Sequence, residues 1–282
     1  MGTRLFGSDS PRAFRAMTTL SIVVVNWNTV LLLADCLRSI LDGTRNLEYE
    51  IIVIDNASAD GSAEMIAREF PQVRLIRNSA NVGFARANNQ GIRASRGRYV
   101  LLLNSDTVVP PGALNALVQF MDDHPDAGAC GPRLARADGC AQRFAFGGDP
   151  SIGYLLARGG MHLVFHKPLH DWETRVTHQV DWVSGAALMA RRDALEQVGG
   201  FDEKFFMYFE DNDLCLRLHR AGWQVIYNPA VTITHLGGAS LKQNASRTRY
   251  YDASLRYFYA KHYALLARIG LELMLPFYRR LN

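Results

Sequence analysis

Short apolar runs alternate with amphipathic stretches along the first 125 positions. Residues 20–25 (LSIVVV) are β-branched and apolar, long enough for a buried strand and too short for a helix. Residues 31–41 follow with apolar positions at helical spacing. A second apolar run over 50–55 ends in Asp55. The pattern then predicts a helix over 62–70 that stops before Pro71, a strand over 73–77, a helix over 85–94 and a strand over 98–103. A helix over 111–123 starts at Pro111, where a missing N–H costs little. Strands alternating with helices imply βαβ units, hence an α/β fold with a Rossmann-like, mainly parallel sheet flanked by helices. Ligands of such sheets bind beyond the carboxyl ends of the strands. Those ends carry Asn26-Trp27-Asn28, Asp55-Asn56 and Asn104-Ser105-Asp106. Any one of them is ordinary turn chemistry, but three along one edge predict a ligand site.

Beyond residue 125 the pattern weakens. Residues 138–180 are rich in Gly, His and aromatics without a period, which fits a substrate-facing segment or a long ordered loop. A strand-like run returns over 180–189, followed by helices over 192–198 and 210–221 and a strand over 225–228. Residues 246–281 read as mostly helical. The organisation expected is a loose leader over 1–18, a main domain over 19–242 and a C-terminal helical extension over 243–282.

Composition changes this picture little. Of 282 residues, 48% are apolar and 21% charged, so a disordered chain is excluded. Lys plus Arg exceed Asp plus Glu by only four, too little to argue for nucleic acid. Cys36, Cys130, Cys140 and Cys215 form no C-x-x-C pair, so neither a zinc framework nor a disulfide scaffold is expected. No secretory signal and no transmembrane run stands out, and a cytoplasmic location is the expectation.

Two phosphate-binding fingerprints are missing: there is no G-x-G-x-x-G after the first strand and no G-x-x-x-x-G-K-[ST]. A diphosphate must then be neutralised another way, most simply by Mg²⁺ or Mn²⁺ held by oxygen ligands. Asp106, just past a strand, is the best candidate ligand. His235, followed by Gly237 and Gly238, is the second. Glu210, Asp211 and Asp213 open a helix, where capping and the helix dipole explain one acid but not three. One of Glu210 and Asp211 can act as a general base while a cation such as Arg217 holds the other. The structural reading is kept for Asp213.

Together these residues resemble the family 2 glycosyltransferases, with the GT-A fold of nucleotide-sugar enzymes, over roughly residues 19–262. The segments that carry the resemblance are VVVNWN (23–28), VIDNASADGS (53–62), NVGFARANNQG (81–91), LLLNSD (101–106), GAALM (185–189), GGFDE (199–203), FEDND (209–213) and HLGGAS (235–240). The subgroup it resembles is the bacterial rhamnosyltransferases of O-antigen and related polysaccharides. The resemblance implies that Asp55 contacts the nucleotide base. It places Asn26, Asn28, Asn81, Gly83, Asn88, Ser105 and Gly185 around the nucleotide sugar. Asp106 then matches the last acid of the family's D-x-D motif and binds the metal with His235. Asp211 matches the catalytic base, with Glu210 beside it. Asn104 stands where the motif has its first acid, so it is a neutral ligand or a contact to the ribose.

The implied reaction moves a sugar, L-rhamnose from dTDP-rhamnose, to a saccharide hydroxyl with inversion. The acceptor is expected to be lipid-linked. Two other readings remain at this point: the same fold with another nucleotide-sugar donor, or a non-catalytic nucleotide-sugar-binding protein. A nucleic-acid partner is not expected. The C-terminal stretch mixes Tyr250, Tyr251, Tyr257, Phe258, Tyr259 and Tyr263 with Arg249, Arg256, Lys261, Arg268 and Arg279. It can lie on the inner face of the cytoplasmic membrane, pack on the core or make a homodimer contact.

Overall fold

The computed structural model describes residues 18–237 and 247–278. The leader over 1–17, the boundary placed at 242, Gly238 and Arg279 lie outside the described residues. The N-terminal half runs β1 (Leu20–Asn26), α1 (Val30–Gly43), β2 (Tyr49–Asp55), α2 (Ser62–Glu69), β3 (Arg74–Arg77), α3 (Phe84–Ala94), β4 (Tyr99–Asn104), β5 (Thr107–Val108) and α4 (Ala113–Asp123). The second half runs β6 (Ala127–Ala135), β7 (Phe146–Gly147), α5 (Ile152–Phe165), β8 (His178–Gln179), β9 (Trp182–Val183), β10 (Ala187–Arg191), α6 (Arg192–Val198), α7 (Glu210–Arg220), β11 (Gln224–His235), α8 (Arg247–His262) and α9 (Leu265–Tyr278).

The main sheet has the order β3-β2-β1-β4-β10-β6-β11-β5, with β8 also paired to β11. β3, β2, β1 and β4 are mutually parallel, as the alternating pattern predicts. The second half is mixed: β10 runs antiparallel between β4 and β6, and β11 returns parallel to β6. Helices cover the sheet, α3 on β1 and β2, α4 on β6 and β11, and α7 on β9 and β11. α3 lies so close to β1 that a Cβ on Gly91 would sit 2.2 Å from Val23 Cγ1. Only glycine permits that spacing.

Several elements depart from the sequence reading. The helix expected from Pro111 starts at Ala113, because Gly112 precedes it with φ 77° and ends a turn begun at Pro110. β6 (AGACGPRLA) is fully buried yet carries few β-branched residues. Its small side chains make room for neighbours: a Cβ on Gly128 would strike Trp223, and one on Gly131 would strike Val183. The aperiodic segment contains the 14-residue helix α5, which Gly159 and Gly160 obscured. The run over 180–189 is two strands with a break at 184–186, and β11 is 12 residues long rather than four.

The C-terminal stretch divides in two. α8 belongs to the core: Leu255, Phe258 and Tyr259 are buried, Tyr250 stacks on Phe206, and Tyr251 and Tyr257 meet Phe205, Tyr208 and Phe209 edge to face. The membrane reading of that aromatic, basic stretch therefore fails for α8. Among the described residues, no helix is long and apolar enough to cross a membrane. Cys36, Cys130 and Cys215 are buried free thiols pushed up to about 12 by burial, and Cys140 is exposed.

Candidate active site

The strand register lines up the polar exits. Asn26 sits opposite Asp55, and Val25 opposite Asn104, so three strand ends meet on one edge. Asn26 is fully buried and its amide is taken. It donates to Asp55 Oδ1 at 3.1 Å and to Ser58 Oγ at 3.0 Å, and it accepts from Thr29 Oγ1 at 2.6 Å. It therefore positions Asp55 rather than facing a ligand. Asp55 also accepts from the Ser58 N–H. Asn28 has φ 53° and accepts from the Ala59 N–H at 2.8 Å, which folds the 56–60 loop over the edge. Ser105 is tied to Thr29 by a 2.8 Å hydroxyl pair.

Next to this lies a lattice of amides. Asn56 donates to Asn81 Oδ1 at 2.8 Å and accepts from Asn78 and from the Val82 N–H. Asn81 Oδ1 also takes the Gly83 N–H at 3.0 Å. Gly83 has φ 88°, and a Cβ there would lie 2.7 Å from the Phe206 carbonyl, so glycine is required. The Phe84 N–H bonds that same carbonyl at 2.7 Å and ties the start of α3 to the 199–209 loop. Asn88 is buried and donates back to the Phe84 carbonyl. Its neighbour Asn89 bridges the Phe201 N–H and carbonyl. Asn56 was legible as the residue after Asp55. Asn89 had no signal separating it from Asn88.

The second cluster joins β4 to the end of β11. Asp106 Oδ1 lies 3.1 Å from His235 Nε2, and both residues are nearly buried. Asn104 Nδ2 donates to the same Nε2 at 3.3 Å, while His235 Nδ1 donates to Gln142 Oε1 at 2.6 Å. Nε2 then carries the lone pair that the Asn104 amide meets, beside a carboxylate oxygen; a cation between Nε2 and Asp106 would replace that amide contact. The 3.1 Å separation suits two neighbouring ligands about 2.0–2.2 Å from one octahedral ion. The donor set fits a divalent cation, with Gln142 orienting the imidazole. Among the described residues no group of three or more His, Cys, Asp or Glu could hold a metal ion, so an ion at Asp106 and His235 would need further ligands from outside the protein. Gln142 was missed because it falls in the aperiodic segment, where nothing marks one polar residue over another.

The third cluster opens α7. Tyr208 and Phe209 both have positive φ, 70° and 64°. Each such residue costs about 1–3 kcal/mol and persists only where packing enforces it. Here the turn aims Glu210 and Asp211 inward. Asp211 Oδ2 accepts from the Gly185 N–H at 3.0 Å, and Oδ1 from the Asn212 N–H at 2.9 Å. Burial raises its carboxyl above the usual aspartate range, and these N–H donors pull it back. Glu210 is raised well above the usual glutamate range by burial and by the neighbouring Asp211 and Asp213, and its Oε2 has no partner. Of the two acids, Glu210 is biased the more strongly toward its protonated form.

Arg217 holds neither of these acids, contrary to expectation. It pairs with Asp213, which is fully buried and also receives Lys261 and His262 from α8, each at 2.7 Å. Asp213 thus anchors α8 to α7, in line with its structural reading.

The break between β9 and β10 connects these clusters. The Asn104 N–H donates to the Ala186 carbonyl at 3.0 Å, and the next residue back, Gly185, holds Asp211. The Leu236 N–H bonds the Asp106 carbonyl at 2.9 Å. The end of β4 is thus linked to His235 on one side and, through the 185–186 turn, to Asp211 on the other. A cleft so built can take an anionic group on one side and remove a proton on the other.

Comparison with known proteins fits this geometry. The model described as glycosyl transferase family 2 matches residues 21–163, and that of glycosyl transferase family group 2 matches residues 99–251. The chain is 35% identical over 209 residues to the N-acetylglucosaminyl-diphospho-decaprenol L-rhamnosyltransferase of Mycobacterium tuberculosis, covering 66% of each. It is 28% identical over 242 residues to the O-antigen biosynthesis protein RfbC of Myxococcus xanthus, covering 82% of this chain and 18% of that one. The chain thus spans 66% or less of the length of these two relatives. Among solved structures, GalNAc-T7 with UDP, GalNAc and Mn²⁺ superposes with a TM-score of 0.60 at 17% identity, covering 78% of this chain and 44% of that one. S. aureus TarS gives 0.57 at 15% identity, covering 78% and 37%. These two likenesses establish the shared GT-A fold.

Proposed function

Since this chain belongs to glycosyl transferase family 2, we propose that it is an inverting glycosyltransferase that carries L-rhamnose from dTDP-rhamnose to a hydroxyl of a lipid-linked saccharide. The choice of sugar and of a lipid-linked acceptor is supported by likeness to the decaprenol-linked rhamnosyltransferase. The place of action would be the inner face of the cytoplasmic membrane, where dTDP-sugars and such acceptors meet. The observation that carries the catalytic reading is the Gly185–Ala186 turn, which holds Asp211 by one residue and the Asn104 strand end by the next.

Asp55, positioned by Asn26 and Ser58, would contact the base of the donor, and Asn81 and Gly83 would border its ribose and diphosphate. Asp106, His235 and Asn104 would hold Mg²⁺ or Mn²⁺. That ion would supply positive charge for the leaving diphosphate, more needed in the transition state than in the bound donor. Asp211 takes the proton of the acceptor hydroxyl. The oxygen attacks the anomeric carbon from the face opposite the diphosphate, so configuration inverts in one displacement. Glu210, kept neutral beside it, spares the site a second negative charge.

A thermal-shift panel of nucleotide sugars with manganese tests the donor. dTDP-rhamnose is expected to stabilise the chain most, because a ligand that binds only the folded state raises Tm by mass action. The product with a saccharide acceptor should show an inverted anomeric centre by NMR. Stabilisation by another nucleotide sugar alone would overturn the choice of rhamnose, and a retained configuration would overturn the role of Asp211.

A further inference from the structure

The exposed apolar surface of this chain is concentrated on two helices that touch. On α9, Leu266, Ile269 and Leu273 are 82%, 49% and 69% exposed. Their spacing of three and four places them on one face, away from the buried Leu271 and Leu275. On α5, Leu156 and Leu163 are 58% and 56% exposed, and they share a helical face with Ile152. Ile152 Cδ1 lies 3.6 Å from where a Cβ on Gly270 of α9 would be, so the two apolar stripes border a common seam. A monomer in water gains nothing from such a surface.

Charge separates a lipid surface from a protein partner. Residues 150–170, which include α5, contain Lys167, the half-buried Arg158 and three histidines but no Asp or Glu. On α9, Arg268 is exposed, while the lone acid Glu272 is engaged by Arg256 in a two-pronged pair at 2.6 and 2.9 Å. An apolar surface in a region whose net charge is positive and whose one helix acid is matched by Arg256 complements an anionic bilayer: apolar side chains enter the acyl boundary while nearby cations meet lipid phosphates.

The face also sits at the right end of the molecule. The segment leading into α5 is bolted to α8 by Tyr259 Oη on the Pro150 carbonyl and Tyr263 Oη on Asp149, both at 2.6 Å. The Asp149 N–H in turn bonds Asp181 at 2.7 Å. Asp149, Pro150 and Trp182 line a cavity of about 190 Å³ together with Asn212, the residue after Asp211. We propose that α5 and α9 form one membrane-docking face that seats the chain on anionic lipid and opens this cavity toward a lipid-linked acceptor. This rests on the glycosyltransferase reading only for the acceptor; docking itself stands on the two helices.

The test uses the full chain and two vesicle types, phosphatidylcholine alone and equal parts phosphatidylcholine and phosphatidylglycerol. Cosedimentation should occur on the mixed vesicles and weaken at high salt. Leu266→Glu with Leu273→Glu, and separately Leu156→Glu with Leu163→Glu, should each reduce the vesicle-bound to free ratio by tenfold or more. These positions are exposed, so Tm and nucleotide-sugar stabilisation should stay at the wild-type values. Absence of binding to the mixed vesicles, or binding indifferent to both variants, overturns the proposal. So does a wild-type dimer in analytical ultracentrifugation that the same variants dissociate without any vesicle binding. Vesicle binding lost as expected in a chain that no nucleotide sugar stabilises would keep the docking face and remove the glycosyltransferase reading.

Discussion

The two walls of the cleft solve opposite physical problems. The first wall, from β1 to α3, is built mainly of amides that bond one another and Asp55: Asn26 with Asp55, Asn56 with Asn81 and Asn78. Most polar groups there already have partners within the protein, so the wall is prearranged. The opposing wall, at the start of α7, buries Glu210 and Asp213 and half-buries Asp211, with Glu210 and Asp211 above their usual titration range and one Glu210 oxygen unpartnered. Binding favours prearranged groups that cost nothing to hold. Proton removal needs a carboxylate kept out of water so that it stays basic.

The sharpest test of that contrast is Asp211→Asn. Loss of the base should lower turnover roughly 10²–10⁴-fold while donor affinity stays unchanged, read as kcat against nucleotide-sugar binding. An equal loss in donor affinity would place Asp211 in the binding wall. On the other side, Asn56→Ala removes the hub of the amide lattice. It should cost ~1–3 kcal/mol of stability by denaturant unfolding, because Asn81, Asn78 and the Val82 N–H lose a partner.

Gln142→Leu probes the boundary between the walls. Without the acceptor on Nδ1 the His235 ring is free to turn, and manganese affinity in the presence of nucleotide should fall roughly 10–100-fold by calorimetry. The smallest effect is expected of Glu210→Gln. The Glu210 carboxyl titrates higher in the folded chain than in the unfolded one. Its favourable contribution is therefore full below the unfolded glutamate range and is lost as pH rises through the folded value. Gln avoids that loss, so the variant should match wild type near pH 4 and melt roughly 2–4 °C higher at pH 8. A lower Tm at pH 8 would mean that Glu210 is ionised and stabilised there.

The parallel half was readable because its strands are short apolar runs, β-branched in β1 and β2 and leucine-rich in β4, each ending in a polar residue. β6 was hidden for the opposite reason: its Ala and Gly residues have little strand preference and are there to admit Trp223 and Val183. The same holds at the site. Asp55, Asp106 and Asp211 announce themselves by their place at strand exits and a helix start, whereas Gln142 lies in a segment without period.

Local pattern was enough to fix the α/β class, the polar edge and the candidate acids, since strand periodicity and strand ends are properties of neighbouring residues. It could not tell which acid is held by which cation: Arg217 reaches Asp213, four residues before it, and Lys261 and His262 converge on the same carboxylate from 48 and 49 residues away. Nor could it divide the C-terminal stretch into α8, buried against the 205–209 aromatics, and α9, with an apolar stripe left in the open. Both helices are rich in apolar and aromatic residues. Burial is decided by what the rest of the fold brings opposite each face, and that is settled only when distant segments meet.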